Sequence, residues 1–196
     1  MLREPHAVRL RKAHPQRPYA TRVAQDKRAP TEPGTLFQLD TMHPRPLPGG
    51  ERRHSTAIDS VARVVVAGVR ATASAGTARA FLAALVARMP VPVQAIQLDG
   101  GSAVMVGFAR ARQDRGIARS VPPPRSPNRN GRIARLNGTA RREVWACYDG
   151  DLDLPTVQEA RWAWEETDTT VRPHQALGYE TPNAFLRSKT FSDVLN

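Results

Sequence analysis

Short apolar runs alternate with polar and turn-forming segments along most of this chain, and their period changes partway. Leu36 to Thr41 (LFQLDT) has the pattern of a strand ending in a carboxylate, and the Pro- and Gly-rich HPRPLPGGERR after it has that of a turn. His54 to Asp59 and Arg63 to Arg70 (RVVVAGVR) predict two further strands joined by a tight connection, so three antiparallel strands open the domain as a meander. In TARAFLAALVARM, Phe81, Leu82, Leu85, Val86 and Met89 recur at helical spacing while Arg79 and Arg88 fall elsewhere, which predicts an amphipathic helix.

Val93 to Leu98 (VQAIQL) then predicts a short buried strand that leads into Asp99, a Gly-Gly turn and a helix over about Ala103 to Arg115. Ile117 to Val121 is a further strand, stopped by Pro122 to Pro124. After SPNRNG, the positions Ile133, Leu136, Ala140, Val144 and Cys147 make one buried helical stripe, with Arg132, Arg135, Arg141 and Arg142 around the remaining surface. A last helix spans roughly Thr156 to Asp168 and carries Trp162 and Trp164. Strands that alternate with helices in the second half imply parallel pairing. The order βββαβαβα is that of an RNase H-like α/β fold: a mixed five-stranded sheet, three strands antiparallel and two parallel, flanked by helices.

Residues 1–34 break from this pattern. They hold eight basic residues (Arg3, Arg9, Arg11, Lys12, Arg17, Arg22, Lys27, Arg28) against three acids (Glu4, Asp26, Glu32) with little apolar periodicity, as a basic arm or linker does. The expected organisation is therefore this arm, a core over 35–150, and a helical extension of the core over 151–196.

Composition narrows the function classes. At 196 residues and 40% hydrophobic, the chain can bury one sizeable core. It has neither an apolar run of the ~20 residues needed for a membrane span nor a signal-peptide pattern, so the cytoplasm, with a nucleoid-associated location, is the expected compartment. The single cysteine, Cys147, excludes an internal disulfide framework and a zinc site of the usual spacing; a small buried apolar role is expected for it. Charge is the strongest bulk signal: 29 Lys plus Arg against 18 Asp plus Glu, a net +11, nearly all of it arginine. Guanidinium groups fork onto phosphate oxygens, which favours a nucleic-acid partner over a membrane or a small-molecule substrate. A high-GC genome accounts for Arg over Lys but not for the surplus charge. RNA-recognition modules usually expose aromatics on a sheet, and aromatics are only 6% here.

Asp40 and Asp99, each at the end of a predicted strand, are the candidate chemistry. Phosphoryl transfer on nucleic acid commonly uses two divalent metals about 3.5 to 4 Å apart. Magnesium keeps much of its water shell, so a protein need supply only a few rigidly placed carboxylates. The competing reading is that strand-end aspartates satisfy turn amides.

The segments GTLFQLDTMHPRPLPGG, STAIDSVAR, AIQLDGGSA, PPPRSPNRNGRIARLN and VRPHQALGYETP, in this order over about Pro33 to Leu186, together resemble the integrase core of bacterial insertion-sequence transposases, the DDE group related to retroviral integrases. The resemblance implies metal-assisted attack of a DNA 3′-hydroxyl on a phosphodiester, with Mg²⁺ or Mn²⁺ as cofactor, DNA ends and target as partners, and multimers as the working form. It places the family's first two acids on Asp40 and Asp99. The third, a glutamate in a V-E-R context, falls on Ala134 within Ile133-Ala134-Arg135. Around the second acid the family usually reads D-N-G-S-E-F, whereas this chain has Asp99-Gly100-Gly101-Ser102-Ala103-Val104.

Glu143, the nearest carboxylate on the same helix, is a poor substitute: nine residues at about 100° each put it on the opposite face, and ~13 Å along. Asp59, Glu165 and Glu166 stay open as replacements. The arginines of that helix, Arg132, Arg135, Arg141 and Arg142, together with Arg172, are candidate phosphate contacts, with a solvated helix face as the alternative. His174 in RPHQ carries, by the resemblance, a structural or DNA-proximal role and is not taken as a ligand. Relatives usually place helix-turn-helix segments before the core, so residues 1–34 are expected to correspond to the linker that follows them. Two functions emerge: a strand-transfer core impaired by Ala134, or an inert module derived from such a core that binds DNA or pairs with an active transposase.

Overall fold

The computed structural model describes residues 30–42, 53–72, 74–98, 105–120, 131–151 and 153–194. Five strands, β1 (Phe37–Met42), β2 (Arg53–Asp59), β3 (Val65–Arg70), β4 (Ala95–Leu98) and β5 (Ala118–Ser120), form one sheet in the order β3-β2-β1-β4-β5. β1–β2 and β2–β3 are antiparallel and β1–β4 and β4–β5 parallel, as the periodicity predicts. The arm over 1–29 and the turn over 43–52 lie outside the described residues.

Side-chain alternation along the strands divides the core in two. Phe37, Leu39, Ala57, Val64, Val66, Ile96 and Leu98 point to one face and pack with Phe81, Leu82 and Leu85 of α1 (Ala75–Arg88), Phe108 and Ala111 of α2 (Met105–Gln113) and Leu186 of α5 (Pro182–Val194). Met42, Ile58 and Val65 point the other way, under Ile133, Leu136 and Ala140 of α3 (Gly131–Ala140), Val144, and Trp164 of α4 (Leu154–Glu166). Ser74 opens α1 with a reciprocal cap to Thr77, and Asp153 caps α4 through the Thr156 amide at 3.0 Å.

Two expectations are corrected. Val86 does not join the buried stripe of Phe81, Leu82, Leu85 and Met89 and is 40% exposed. Cys147 is exposed rather than buried. After Ala140 the helix widens into a π-helical turn, Arg141–Trp145, and then ends, so the 3.6-residue stripe that reaches Val144 does not continue to Cys147. Of the two tryptophans of α4, Trp164 is buried and Trp162 is 49% exposed.

β3 is an edge strand, and α4 supplies the partners its outer edge lacks. Gln158 Oε1 accepts the Val69 amide at 2.7 Å and Glu165 Oε2 accepts the Ala67 amide at 2.9 Å, so the residues read as a C-terminal extension close the sheet against further strand pairing. Under the same helix, Arg161 and His54 are both fully buried. Arg161 Nε donates to His54 Nε2 at 2.5 Å, and Trp145 meets the imidazole edge-on with centroids 5.6 Å apart.

Burial, and after it the Arg161 charge, hold the His54 pKa well below 6.5, so the folded protein keeps the ring neutral. Below pH 6.5 the unfolded chain binds a proton there that the folded chain refuses, and stability is lost as pH falls through this window. The expected loss approaches about 1.4 kcal/mol per pH unit. His54→Gln, which keeps an acceptor for Arg161 but does not titrate, should be less stable at neutral pH and flatter between pH ~7 and ~5. Parallel profiles for the two proteins in thermal denaturation would count against a neutral buried His54.

Candidate functional site

Asp40 is the fourth residue of β1, on the face covered by α3. Gln38, two residues earlier on the same face, is buried and accepts the Ile133 amide at 3.2 Å, so a strand side chain satisfies one of the unpaired N–H groups at the start of α3. One turn further, Asn137 Nδ2 donates to Asp40 Oδ2 at 2.8 Å, while Asp40 Oδ1 accepts the Thr41 amide at 2.8 Å. These contacts lay α3 along β1 and fix where each of its side chains stands.

Ala134 follows Ile133 directly and precedes Asn137 by three positions, the spacing that stacks side chains on one helix face. The residue assigned to the third acid by resemblance is thus an exposed methyl group one turn from the amide that holds Asp40. The paired register of β1 and β4 ends at Leu39 opposite Leu98, immediately before Asp40 and Asp99 in the chain. Asp99 itself, with Gly100 to Val104, lies outside the described residues.

Of the carboxylates considered as substitutes for the third acid, Glu143, Asp59 and Glu165 are engaged elsewhere. Glu143 accepts from Trp164 Nε1 at 2.7 Å and from the Arg172 guanidinium, and the latter contact holds its carboxyl below the usual range. Asp59 takes the amides of Val61, Ala62 and Gly34 at 2.7, 2.6 and 2.7 Å, and burial pushes its pKa up. Glu165 is tied to the Arg88 guanidinium and the Ala67 amide. Glu166 is exposed at the end of α4. Among the described residues no three Asp, Glu, His or Cys side chains converge on one point.

Among the described residues few donors are available to a pair of divalent metals, and Asp99 is not one of those residues. The described residues offer the Asp40 carboxylate and the buried Oδ1 of Asn137, which has no hydrogen-bond partner among them. One carboxylate and one amide carbonyl are too few to fix two hard cations.

Arg135, Arg141 and Arg142 are exposed along α3 and the π-turn, and Arg132 is half-buried. Arg172 stands apart from them: it pairs with Glu143 and Asp168 and lies over the Trp164 ring at 5.8 Å, which commits its charge within the fold. His174 Nε2 lies 3.2 Å from the Asp168 carbonyl, and the His174 backbone closes the following turn through Leu177, Tyr179 and Glu180. Sequence reading missed Gln38 and Asn137.

Comparison with known proteins bears on the whole arrangement. Residues 115–182 match the family model described as the integrase core domain. Among curated proteins none matches. Among solved structures, the fold is similar to a chain of the simian T-cell lymphotropic virus intasome in complex with PP2A regulatory subunit B56 gamma (18% identity, TM-score 0.64), with 81% of this chain and 56% of that chain covered. It is similar to the catalytic core domain of BIV integrase at 20% identity and a TM-score of 0.63, over 82% of this chain and 99% of that one. For the HTLV-2 integrase catalytic core domain in complex with magnesium, in a dimeric form, the values are 15% and 0.59, over 76% and 94%. With its mixed five-stranded sheet and flanking helices, the chain has the RNase H-like fold of integrase catalytic cores, and its residues 115–182 match the integrase core domain.

Proposed function

We propose that this chain is a transposase or integrase core protein of DNA transposition and integration whose metal-dependent strand transfer is lost or severely impaired. The observation that carries the reading is Ala134: a methyl group stands on the helix face next to Asn137 and Asp40, and the described carboxylates Glu143, Asp59 and Glu165 are engaged elsewhere. Asp40 and Asp99 would be the residual ligands for Mg²⁺ or Mn²⁺. A magnesium complex of a similar core, that of HTLV-2 integrase, supports the choice of ion. Strand transfer depends on well-placed ions, so a missing acid should lower the rate by orders of magnitude. Purified protein given pre-cleaved DNA ends and either metal is expected to yield no joined product; efficient joining would refute the impairment.

A second reading, an inert module that binds DNA or pairs with an active transposase, is favoured by the exposed Arg135, Arg141 and Arg142 with the half-buried Arg132, which do not depend on the acids. DNA is the proposed partner under both readings. Homo-oligomers are proposed as well, since HTLV-2 integrase cores are described in dimeric and trimeric forms. Among the described residues no helix is long and apolar enough to cross a membrane; a nucleoid-associated location follows from the proposed partner.

A further inference from the structure

Arg63 sits in the β2–β3 turn with φ 64°, a left-handed backbone that, among the described non-glycine residues, only Tyr179 shares. The turn is rigid. Asp59 accepts the amides of Val61 and Ala62 through Oδ1 and that of Gly34 through Oδ2, the Arg63 amide donates to the Asp59 carbonyl at 3.2 Å, and the Asp59 amide donates to the Val64 carbonyl at 3.0 Å. Glycine or asparagine would occupy such a position at lower cost, so an arginine held there is strained, and strain of this kind collects at binding sites.

Helix α3 begins over the same end of the sheet. Ile133 belongs to the cluster that contains Ile58 and Val65, the residues flanking the turn. Arg132 and Arg135, three positions apart on α3, are thereby brought toward Arg63. After burial, the Arg132 charge is the largest influence depressing the Arg63 pKa; Arg135 adds to it, and Asp59 opposes it. Asp59 gives its oxygens to three backbone amides, and the Nη1 of Arg63 is buried with no acceptor among the described residues. Three guanidinium groups opposed only by the Asp59 carboxylate, which is itself committed to backbone amides, form an arrangement that an anion relieves.

We propose that Arg63, Arg132 and Arg135 form a phosphate clamp in which the strained β2–β3 turn holds a DNA backbone phosphate against the start of α3. The clamp rests on the DNA-binding reading above and adds to it a residue from the β2–β3 turn. It predicts a separation of stability from binding. Arg63→Gly removes the side chain and the strain together, so its thermal midpoint should equal or exceed that of the wild type. Its affinity for a labelled DNA duplex, followed by fluorescence anisotropy over a salt series, should fall several-fold, and the slope of log K against log salt should become shallower by about 0.9, the loss of one phosphate contact. Arg79→Ala, which removes an equal charge from the exposed surface of α1 across the sheet, should leave the slope nearer the wild-type value. An unchanged slope in Arg63→Gly, or an equal loss in Arg79→Ala, would overturn the clamp and leave DNA binding standing. Wild-type protein that fails to bind the duplex would overturn both.

Discussion

Ala134→Glu, assayed with Mg²⁺ or Mn²⁺ on pre-cleaved DNA ends, is expected to raise joined product by orders of magnitude over the wild-type chain. The position accepts the change at little cost. Ala134 is exposed, so the new carboxylate is not buried, and it lies in the first turns of α3, where the helix dipole favours an anion. From there a glutamate stacks one turn before Asn137, whose amide already holds Asp40 Oδ2 at 2.8 Å. A second readout does not depend on turnover: an ion that binds only the folded variant stabilises it by about 2.7 kcal/mol at a hundredfold excess over its Kd. Magnesium should therefore raise the thermal midpoint of Ala134→Glu more than that of the wild type. Adding Gly100→Asn and Ala103→Glu addresses the other departures around Asp99. If the single variant is silent and the triple variant active, the loss is shared between the two motifs. If all variants neither join DNA nor respond to magnesium, Ala134 is not the defect.

How far this site was legible in the sequence follows from which contacts are local. Strand alternation and helical spacing are properties of neighbouring residues, and from them came the five strands, the antiparallel and parallel halves of the sheet and the placement of Asp40 on β1. The assignment of Ala134 needed the family resemblance, since an alanine on a helix carries no chemical signal. Asn137 and Gln38 stayed invisible for a different reason. Asn137 bonds a residue 97 positions away and Gln38 one 95 positions away, and nothing within a short window distinguishes them from solvated amides. Arg161 shows the same limit more strongly: an arginine on an amphipathic helix is expected at the surface, yet it is fully buried against His54 and over the Trp164 ring at 4.1 Å. Cys147 failed through local geometry, because a π-turn shifts the helical phase without a clear sequence mark.

Glu165→Ala should destabilise the fold by about 3–5 kcal/mol, a drop in thermal midpoint on the order of 10 °C for a chain of this size. Three losses coincide. The Ala67 amide on the edge strand loses its acceptor, the Arg88 guanidinium loses its partner, and the buried Arg161, whose pKa burial already lowers to about 10, loses one of the charges that compensate it. Glu165→Gln keeps an acceptor for the Ala67 amide and should cost less, so its own penalty measures the charge and the difference between the two variants measures the edge bond. Burial raises the Glu165 pKa despite these partners. A carboxyl whose folded pKa lies above its unfolded value loses stability as pH rises between the two, so the Glu165→Gln penalty should grow when the pH is lowered from neutral toward that window, where the wild type gains and the variant does not. The same pair of variants separates structure from chemistry. If Glu165 replaced the missing acid, magnesium would raise the midpoint of the wild type and not of Glu165→Gln. With Glu165 committed to Arg88 and the edge of β3, the metal response of the two should be the same while their stabilities differ.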